Sequence, residues 1–452
     1  VAWTRWPEVR SSWFTHATRA TIVAAAIALV FYGASAWWLA PILPDGDAPH
    51  YLILAQSLVK DGDLQIENNH RRGDYLGYSL LAAQPDYLRR GVNGAIYSIH
   101  APGLPAVIAP AMWLFGYPGV VAFLGIVGAV STALVWRHSY QITGSASASW
   151  FGWACCALTT PFFFQATQVF PDGFAATCVL LGASPLLLAH RGVARGRVHH
   201  TTGRADAALW LLSGTSLAIL PWLQTRLAIV AAASALCLCL RMRSVRQFLI
   251  FAALPIVSAA AWFAFFFVVY GTPNPTAPYG TLTQTSVANL SRGIPGILFD
   301  GQFGWLSNAP AYGVVLVGIL ARAARRQRWS WELLALVVPY LIGVGMYQHW
   351  WGGASPPARL LAPITLVLAV GGARVWHEAR TRATRIMYAA ALAVSVLIAV
   401  LLLVPDTGRL LINFRDGIAL WAEWSNDSID LPRGLPSLFM DSPGLVVLKV
   451  SI

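Results

Sequence analysis

The sequence predicts an all-α, polytopic transmembrane bundle of about eleven spans, and three observations carry that reading. Of 452 residues, 57% are hydrophobic and only 11% charged, with a mean hydropathy of +0.58, so lipid rather than water is the main solvent. Apolar runs recur along the chain, many of them near the ~20 residues that a lipid-facing helix needs. The segments between the runs alternate in charge, which fixes sidedness.

In order, the runs are 20–39, 119–136, 148–163, 173–190, 208–223, 226–240, 247–270, 310–321, 332–347, 360–373 and 386–404. A basic segment precedes the first run and no small-residue cleavage pattern follows it, so it reads as a retained span and not as a signal peptide. Short runs such as 310–321 suit a place inside the bundle. With the N-terminus on the cytoplasmic side, 19 of the 31 basic residues fall in inner segments, beside four of the 19 acids, Glu8, Asp206, Glu332 and Glu378. The outer segments hold the other 12 basic residues and 15 acids, so the inner side carries +15 and the outer −3, which together give the net +12. This is the positive-inside pattern of a multi-pass plasma-membrane protein. The pI near 9.8 therefore reports orientation. No stacked-aromatic or basic-groove module accompanies it, which argues against a nucleic-acid partner. Cys155, Cys156, Cys178, Cys237 and Cys239 all lie in apolar runs and read as small packing residues.

Residues 1–404 form the membrane domain, and 405–452, with Asp406, Asp416, Glu423, Asp427, Asp430 and Asp441, form a small external appendage. The long outer segments are 40–118, 271–309 and 405–452. Within the first, 101–116 is apolar but broken by Pro102, Pro105 and Pro110, the pattern of an interfacial or re-entrant helix. Counting it as a span would put the arginine-rich loops outside.

Ionisable groups at a membrane boundary are costly, so those gathered on one side point to function. Asp47, in Pro44-Asp45-Gly46-Asp47-Ala48-Pro49-His50-Tyr51, has the chemistry of a general base toward a hydroxyl. Asp45 and Asp47 together are candidate ligands for a divalent cation; capping of the helix that follows explains Asp47 equally well. Asp172 opens the fourth run, where a carboxylate is favoured with or without chemistry. Arg226 and Arg359 carry forks suited to phosphate oxygens, although helix-end arginines commonly snorkel. His50, His100 and His349 lie in outer segments and are candidates for metal or phosphate contact; their spacing matches no zinc signature, so plain hydrogen bonding is the simpler role. Tyr51 and Trp351, close to them in sequence, join as substrate contacts. The loop Phe299-Asp300-Gly301-Gln302-Phe303-Gly304-Trp305-Leu306 offers aromatic faces for a sugar or an isoprenoid chain, or simply for the interface. The topology, derived from arginines in the inner loops, places both carboxylates and both of these arginines on one outer rim. A base and a phosphate clamp without any nucleotide-binding loop suggest a lipid-phosphate donor, because nucleotide sugars are not available on that side.

The order of these features resembles the membrane glycosyltransferases of the GT-C superfamily, in particular bacterial relatives of protein O-mannosyltransferases and of the lipid A aminoarabinose transferase. In those families an Asp-Glu pair follows the first span, a Lys-Pro-Pro or related patch opens the next apolar segment, a second Asp begins a later span, and an aromatic loop ends in an Arg. Here Gly46-Asp47-Ala48-Pro49-His50-Tyr51-Leu52, His100-Ala101-Pro102-Gly103-Leu104-Pro105, Phe170-Pro171-Asp172-Gly173 and Trp350-Trp351-Gly352-Gly353 through Arg359-Leu360-Leu361 are similar to these in turn, across roughly residues 15–400. Thr225-Arg226 sits where a basic residue often precedes an apolar helix. Ala48 stands in place of the Glu and His100 in place of the Lys, which weakens a two-carboxylate metal site and leaves phosphate to Arg226 and Arg359.

The resemblance implies an inverting glycosyltransferase of the bacterial inner membrane, working at the periplasmic face. It would move a sugar from a polyprenyl-phosphate donor to a hydroxyl of a lipid, glycan or protein acceptor. Asp47 would be the base, Asp172 would position a substrate, and Arg359 with Arg226 would counter charge on the departing phosphate. No cofactor is certain; a divalent cation is a candidate. The rivals are a transporter or flippase of lipid-linked saccharides and a polysaccharide polymerase or ligase. A transporter needs charged groups along a central path, whereas here they avoid span centres.

Overall fold

The computed structural model describes residues 6–40, 44–79, 84–189, 204–282, 284–412, 419–425, 429–438 and 447–448. Its helices are α1 (Trp6–Leu39), α2 (Ala48–Lys60), α3 (Glu67–Arg72), α4 (Gly103–Thr143), α5 (Ala146–Ala157), α6 (Phe162–Gln165), α7 (Pro171–Gly182), α8 (Ser184–Leu188) and α9 (Arg204–Leu223). There follow α10 (Leu227–Cys239), α11 (Val245–Tyr270), α12 (Leu290–Phe299), α13 (Trp305–Asn308), α14 (Pro310–Ala324), α15 (Arg328–Gly345), α16 (Ala362–Glu378), α17 (Arg382–Leu403) and α18 (Leu431–Gly434). Two short strands, Ile429–Asp430 and Val447–Leu448, pair antiparallel. The architecture is the expected helical bundle.

Every expected run falls on a helix, but seven helices among the described residues are long and apolar enough to cross a membrane. Those at 148–163, 226–240 and 310–321 correspond to α5, α10 and α14, of 12, 13 and 15 residues. At 1.5 Å per residue such helices rise roughly 18–23 Å, short of a ~30 Å hydrocarbon core. α15 has 18 residues, but its first turns carry Arg328 and Glu332. Of the helices that fall short, α5 is largely buried, whereas α10, α14 and α15 keep an exposed side that includes Leu236, Val317, Leu320 and Trp331. The innermost is α16: 83% of the apolar window in Arg359–Glu378 is buried, against 22% for α1 and for α11. α5 approaches it closely at Gly152, where a Cβ would meet the Ala369 carbonyl at 2.8 Å.

The separate helix expected over 101–116 is present. It runs from Gly103 and ends where Gly116 takes φ 64°, ψ −156°, a conformation nearly restricted to glycine. Trp113, Leu114 and Phe115 lie exposed just before that break, the composition of a helix tip resting on a bilayer.

The charged residues form two sets. Arg241 pairs with Glu332 at 2.7 Å and Arg328 with the same carboxylate at 2.9 Å; Arg322 and Arg374 share Glu378 at 3.0 and 3.1 Å. All belong to segments assigned inside. Lys60–Asp74 at 2.7 Å, Arg72–Asp61 at 2.6 Å and His100–Asp86 at 3.0 Å join residues assigned outside. Arg5, Arg191, Arg195 and Arg197 lie outside the described residues. So do Asp416, Asp427 and Asp441 of the appendage. The described part of the appendage folds back on the loop after α12. Gly301 N–H donates to Pro436 at 2.8 Å, and buried Asp300 accepts backbone N–H groups from Gln302, Phe303 and Leu438 at 2.9, 2.8 and 2.7 Å.

Candidate active site

The chain leaves α1 and turns into α2 at Asp45-Gly46-Asp47. Gly46 sits at φ +61°, and a Cβ there would lie 2.7 Å from the Ala354 carbonyl, so the turn rests directly on the backbone of the loop before Arg359. Asp47 occupies the N-cap of α2, yet its side chain makes no capping bond. Its carboxylate instead accepts from Arg359 Nη2 at 2.5 Å. Capping therefore does not account for the side chain.

Arg359 stands on the short turn leading into α16 and is almost fully buried. Its Nε donates to Asp172 Oδ2 at 3.1 Å, its Nη1 to the Gly352 carbonyl at 2.9 Å, and its plane lies 4.0 Å from the centre of the Phe170 ring. Asp172, fully buried in the first turn of α7 behind Pro171, accepts with its other oxygen from Arg226 Nη2. Arg226 is the N-cap of α10. The result is a buried row of alternating charge, Asp47–Arg359–Asp172–Arg226, drawn from four helix starts. Pairing is what makes such burial tolerable, since each ion alone loses several kcal/mol of hydration.

Electrostatics set the state of Asp47. Burial pushes its carboxyl upward, but Arg359, with His100 and His50 adding less, outweighs this and holds it down at about 2. It is a carboxylate at any physiological pH. One third of its side chain remains exposed, 33%, while Asp172 has 0%.

One turn along α2 lie His50 and Tyr51. The Tyr51 hydroxyl accepts from Gln224 Nε2 at 3.5 Å, and its ring lies 4.9 Å from that of His100. His100 Nε2 meets Asp86 Oδ2 at 3.0 Å, and Ile99 N–H bonds the Asp86 carbonyl at 3.0 Å, which fixes both side chains side by side. The rings of His50 and His100 are 5.3 Å apart and within 18° of parallel. Burial, then the neighbouring His100, lowers the His50 imidazole to about 4. Ligand atoms of His50, Asp86 and His100 all fall within 4.8 Å of one another.

Two cavities meet at the start of α2. One, of about 150 Å³, is polar and aromatic, with Asp47, Asp86, His100, Trp222, Gln224 and Tyr279 among its walls. The other, of about 630 Å³, is apolar and lies between α1 and the second half of α4, walled by Tyr32, Trp37, Tyr117 and Phe170 and ending at Asp45 and Ala48. Asp45 lines the apolar cavity and Asp47 the polar one.

Asp47, Asp172, Arg226, Arg359, His50, Tyr51 and His100 are brought together. Arg226, Arg359 and Asp172 line neither cavity; their charges are committed to one another. His349 and Trp351 line neither cavity; His349 packs on Trp351 at 5.1 Å and on Tyr347 at 5.7 Å, and Tyr347 reaches the polar cavity. Asp86, Gln224, Tyr279 and Tyr347 escaped the sequence reading. Asp86, Gln224 and Tyr279 lie on outer segments and Tyr347 ends the run 332–347, but nothing in spacing marks them.

The chain is a polytopic helical bundle with a buried carboxylate–guanidinium row at one end, and its fold is shared by solved structures. ArnT from Cupriavidus metallidurans in the apo state matches with a TM-score of 0.56 at 14% identity, over 89% of this chain and 67% of that one. The same protein bound to undecaprenyl phosphate matches with a TM-score of 0.51 at 13% identity, over 85% and 71%. At this identity the likeness is one of fold. Neither a family model nor a curated protein sequence matches the chain.

Proposed function

We propose that the chain is a membrane glycosyltransferase that moves a sugar from a polyprenyl-phosphate donor to an acceptor hydroxyl on the outer face of a bacterial plasma membrane, with inversion. The observation that carries this is Asp47: an ionised, partly exposed carboxylate, oriented by Arg359, where a polar-aromatic cavity meets an apolar one. A sugar fits the first environment by hydrogen bonding and stacking, and an isoprenoid tail the second by burial of apolar surface. The shared fold supports the donor class, since ArnT has been seen bound to undecaprenyl phosphate.

In the reaction the acceptor oxygen forms a bond to the anomeric carbon as the bond from that carbon to the phosphate oxygen breaks. The leaving phosphate takes the electron pair, and Asp47 takes the hydroxyl proton. Once protonated, Asp47 no longer neutralises Arg359, whose charge then offsets the charge growing on the phosphate from behind the cavity wall. Asp172 and Arg226 hold Arg359 from behind and act as positioning residues. Replacing Asp47 by Asn keeps shape and removes the base. Transfer from a polyprenyl-phosphate sugar should fall by ~10²–10⁴ while binding of the lipid donor persists; unchanged transfer would sink the mechanism.

A further inference from the structure

We propose that His50, Asp86 and His100 bind one divalent transition-metal ion of the zinc class, with the open coordination position facing the polar cavity. The three ligand atoms lie within 4.8 Å of one another, so small side-chain rotations close the set. The rings of His50 and His100 stack near-parallel with centres 5.3 Å apart, so one ring must turn about its Cβ–Cγ bond for both in-plane nitrogens to face a common ion. Two nitrogens and one carboxylate oxygen suit zinc and its neighbours over magnesium or calcium, which prefer all-oxygen shells. Three protein ligands with one position open is the pattern of a reactive rather than a closed structural site.

A hydrogen bond between Asp86 and His100 explains those two side chains but not the third. His50 Nδ1 is buried with no partner, a costly state for a polar atom in a polar cluster. An ion coordinated there gives it one.

Charge supplies a second argument. The charged side chains lining the polar cavity are Asp47 and Asp86, with no Lys or Arg among them. Behind the wall, Asp172 against the guanidiniums of Arg226 and Arg359 leaves +1, so with Asp47 and Asp86 the set carries −1. A cavity so lined repels a phosphate, and a divalent ion reverses that sign next to Asp47 and offers a site for a phosphate oxygen. This role for the ion rests on the proposed donor; binding of the ion does not.

The test uses the full chain purified in detergent, stripped with a chelator and dialysed against Zn²⁺ or Co²⁺. The expected result is one ion per chain by elemental mass spectrometry and, for Co²⁺, the intense visible absorption of a four-coordinate site. His100→Ala should weaken binding by at least ~100-fold. Since His100 packs on Tyr51 and its loss can unfold the chain, His50→Gln is read in parallel. A folded His50→Gln protein that has lost the Co²⁺ absorption supports the site; unchanged absorption overturns it, as does a wild-type chain that holds no more ion than the variants. Asp47→Asn should keep the ion while losing transfer, so failure of the metal site and failure of the transfer mechanism are told apart.

Discussion

The two ends of the bundle use the same residue types at different depths. At the inner end Glu332 and Glu378 each take two arginines, and both acids keep contact with their surroundings, 14% and 25% exposed. These are staples between helix ends, and such pairs contribute little. At the outer end the guanidinium of Arg359 is 2% exposed and bridges two carboxylates from distant parts of the chain. A helical bundle does not need so deep a row, because apolar residues of similar volume often serve stability as well or better. What the contrast teaches is that a fully buried Arg359–Asp172 pair ending in a part-exposed Asp47, not the count of ion pairs, separates a site from an anchor.

Removing Arg359 should break the contrast most severely. Arg359→Ala leaves Asp47 and Asp172 without their shared cation and should cost ~3–5 kcal/mol in unfolding experiments, with transfer abolished. Arg359→Lys restores the charge but not the fork, so it should recover part of the stability and little of the activity; full activity would mean the bidentate geometry is irrelevant. Gly46→Ala is subtler. Its new methyl meets the Ala354 carbonyl at 2.7 Å and the residue keeps a left-handed φ, so a loss of ~1–2 kcal/mol is expected, and transfer should fall because Asp47 is lifted from Arg359. At the inner end Glu378→Gln should change stability by less than ~1 kcal/mol and leave transfer untouched; a large loss there would erase the distinction between the ends. The smallest effect concerns pH. Asp47 has a folded value of about 2, below the unfolded ~3.9. Its stabilisation is therefore complete above that unfolded value and lost as pH falls toward 2. The difference in melting temperature between the wild type and Asp47→Asn should be flat from pH 8 to 5 and shrink only below about 4.

Much of this was legible in the sequence because hydration is so costly to lose. Arginines enriched in alternate loops and charges kept out of the centres of apolar runs mark helix boundaries, and Asp47, Asp172, Arg226 and Arg359 all stand at such boundaries. Their shared side could be read, but their partners could not. The sequence offers phosphate as a natural ligand for Arg226 and Arg359, whereas carboxylates far along the chain occupy both. Length is the one property of a span that the runs leave open: among the described residues seven helices are long and apolar enough to cross, and α5 and α10 are shorter. Asp86 was hidden because its meaning comes from His100, fourteen residues away across a loop.

The spacing of the central row along the chain has a consequence for biogenesis. Asp47 lies 312 residues before Arg359 and Asp172 lies 187 before it. On the ribosome both acids emerge long before the cation that joins them, and Arg226 can satisfy Asp172 only in part meanwhile. A nascent chain stalled short of Arg359 therefore leaves Asp47 without the guanidinium that pairs it in the finished fold. Quality-control proteases that recognise unsettled polar groups at a membrane surface would have a means of telling an unfinished copy from a finished one.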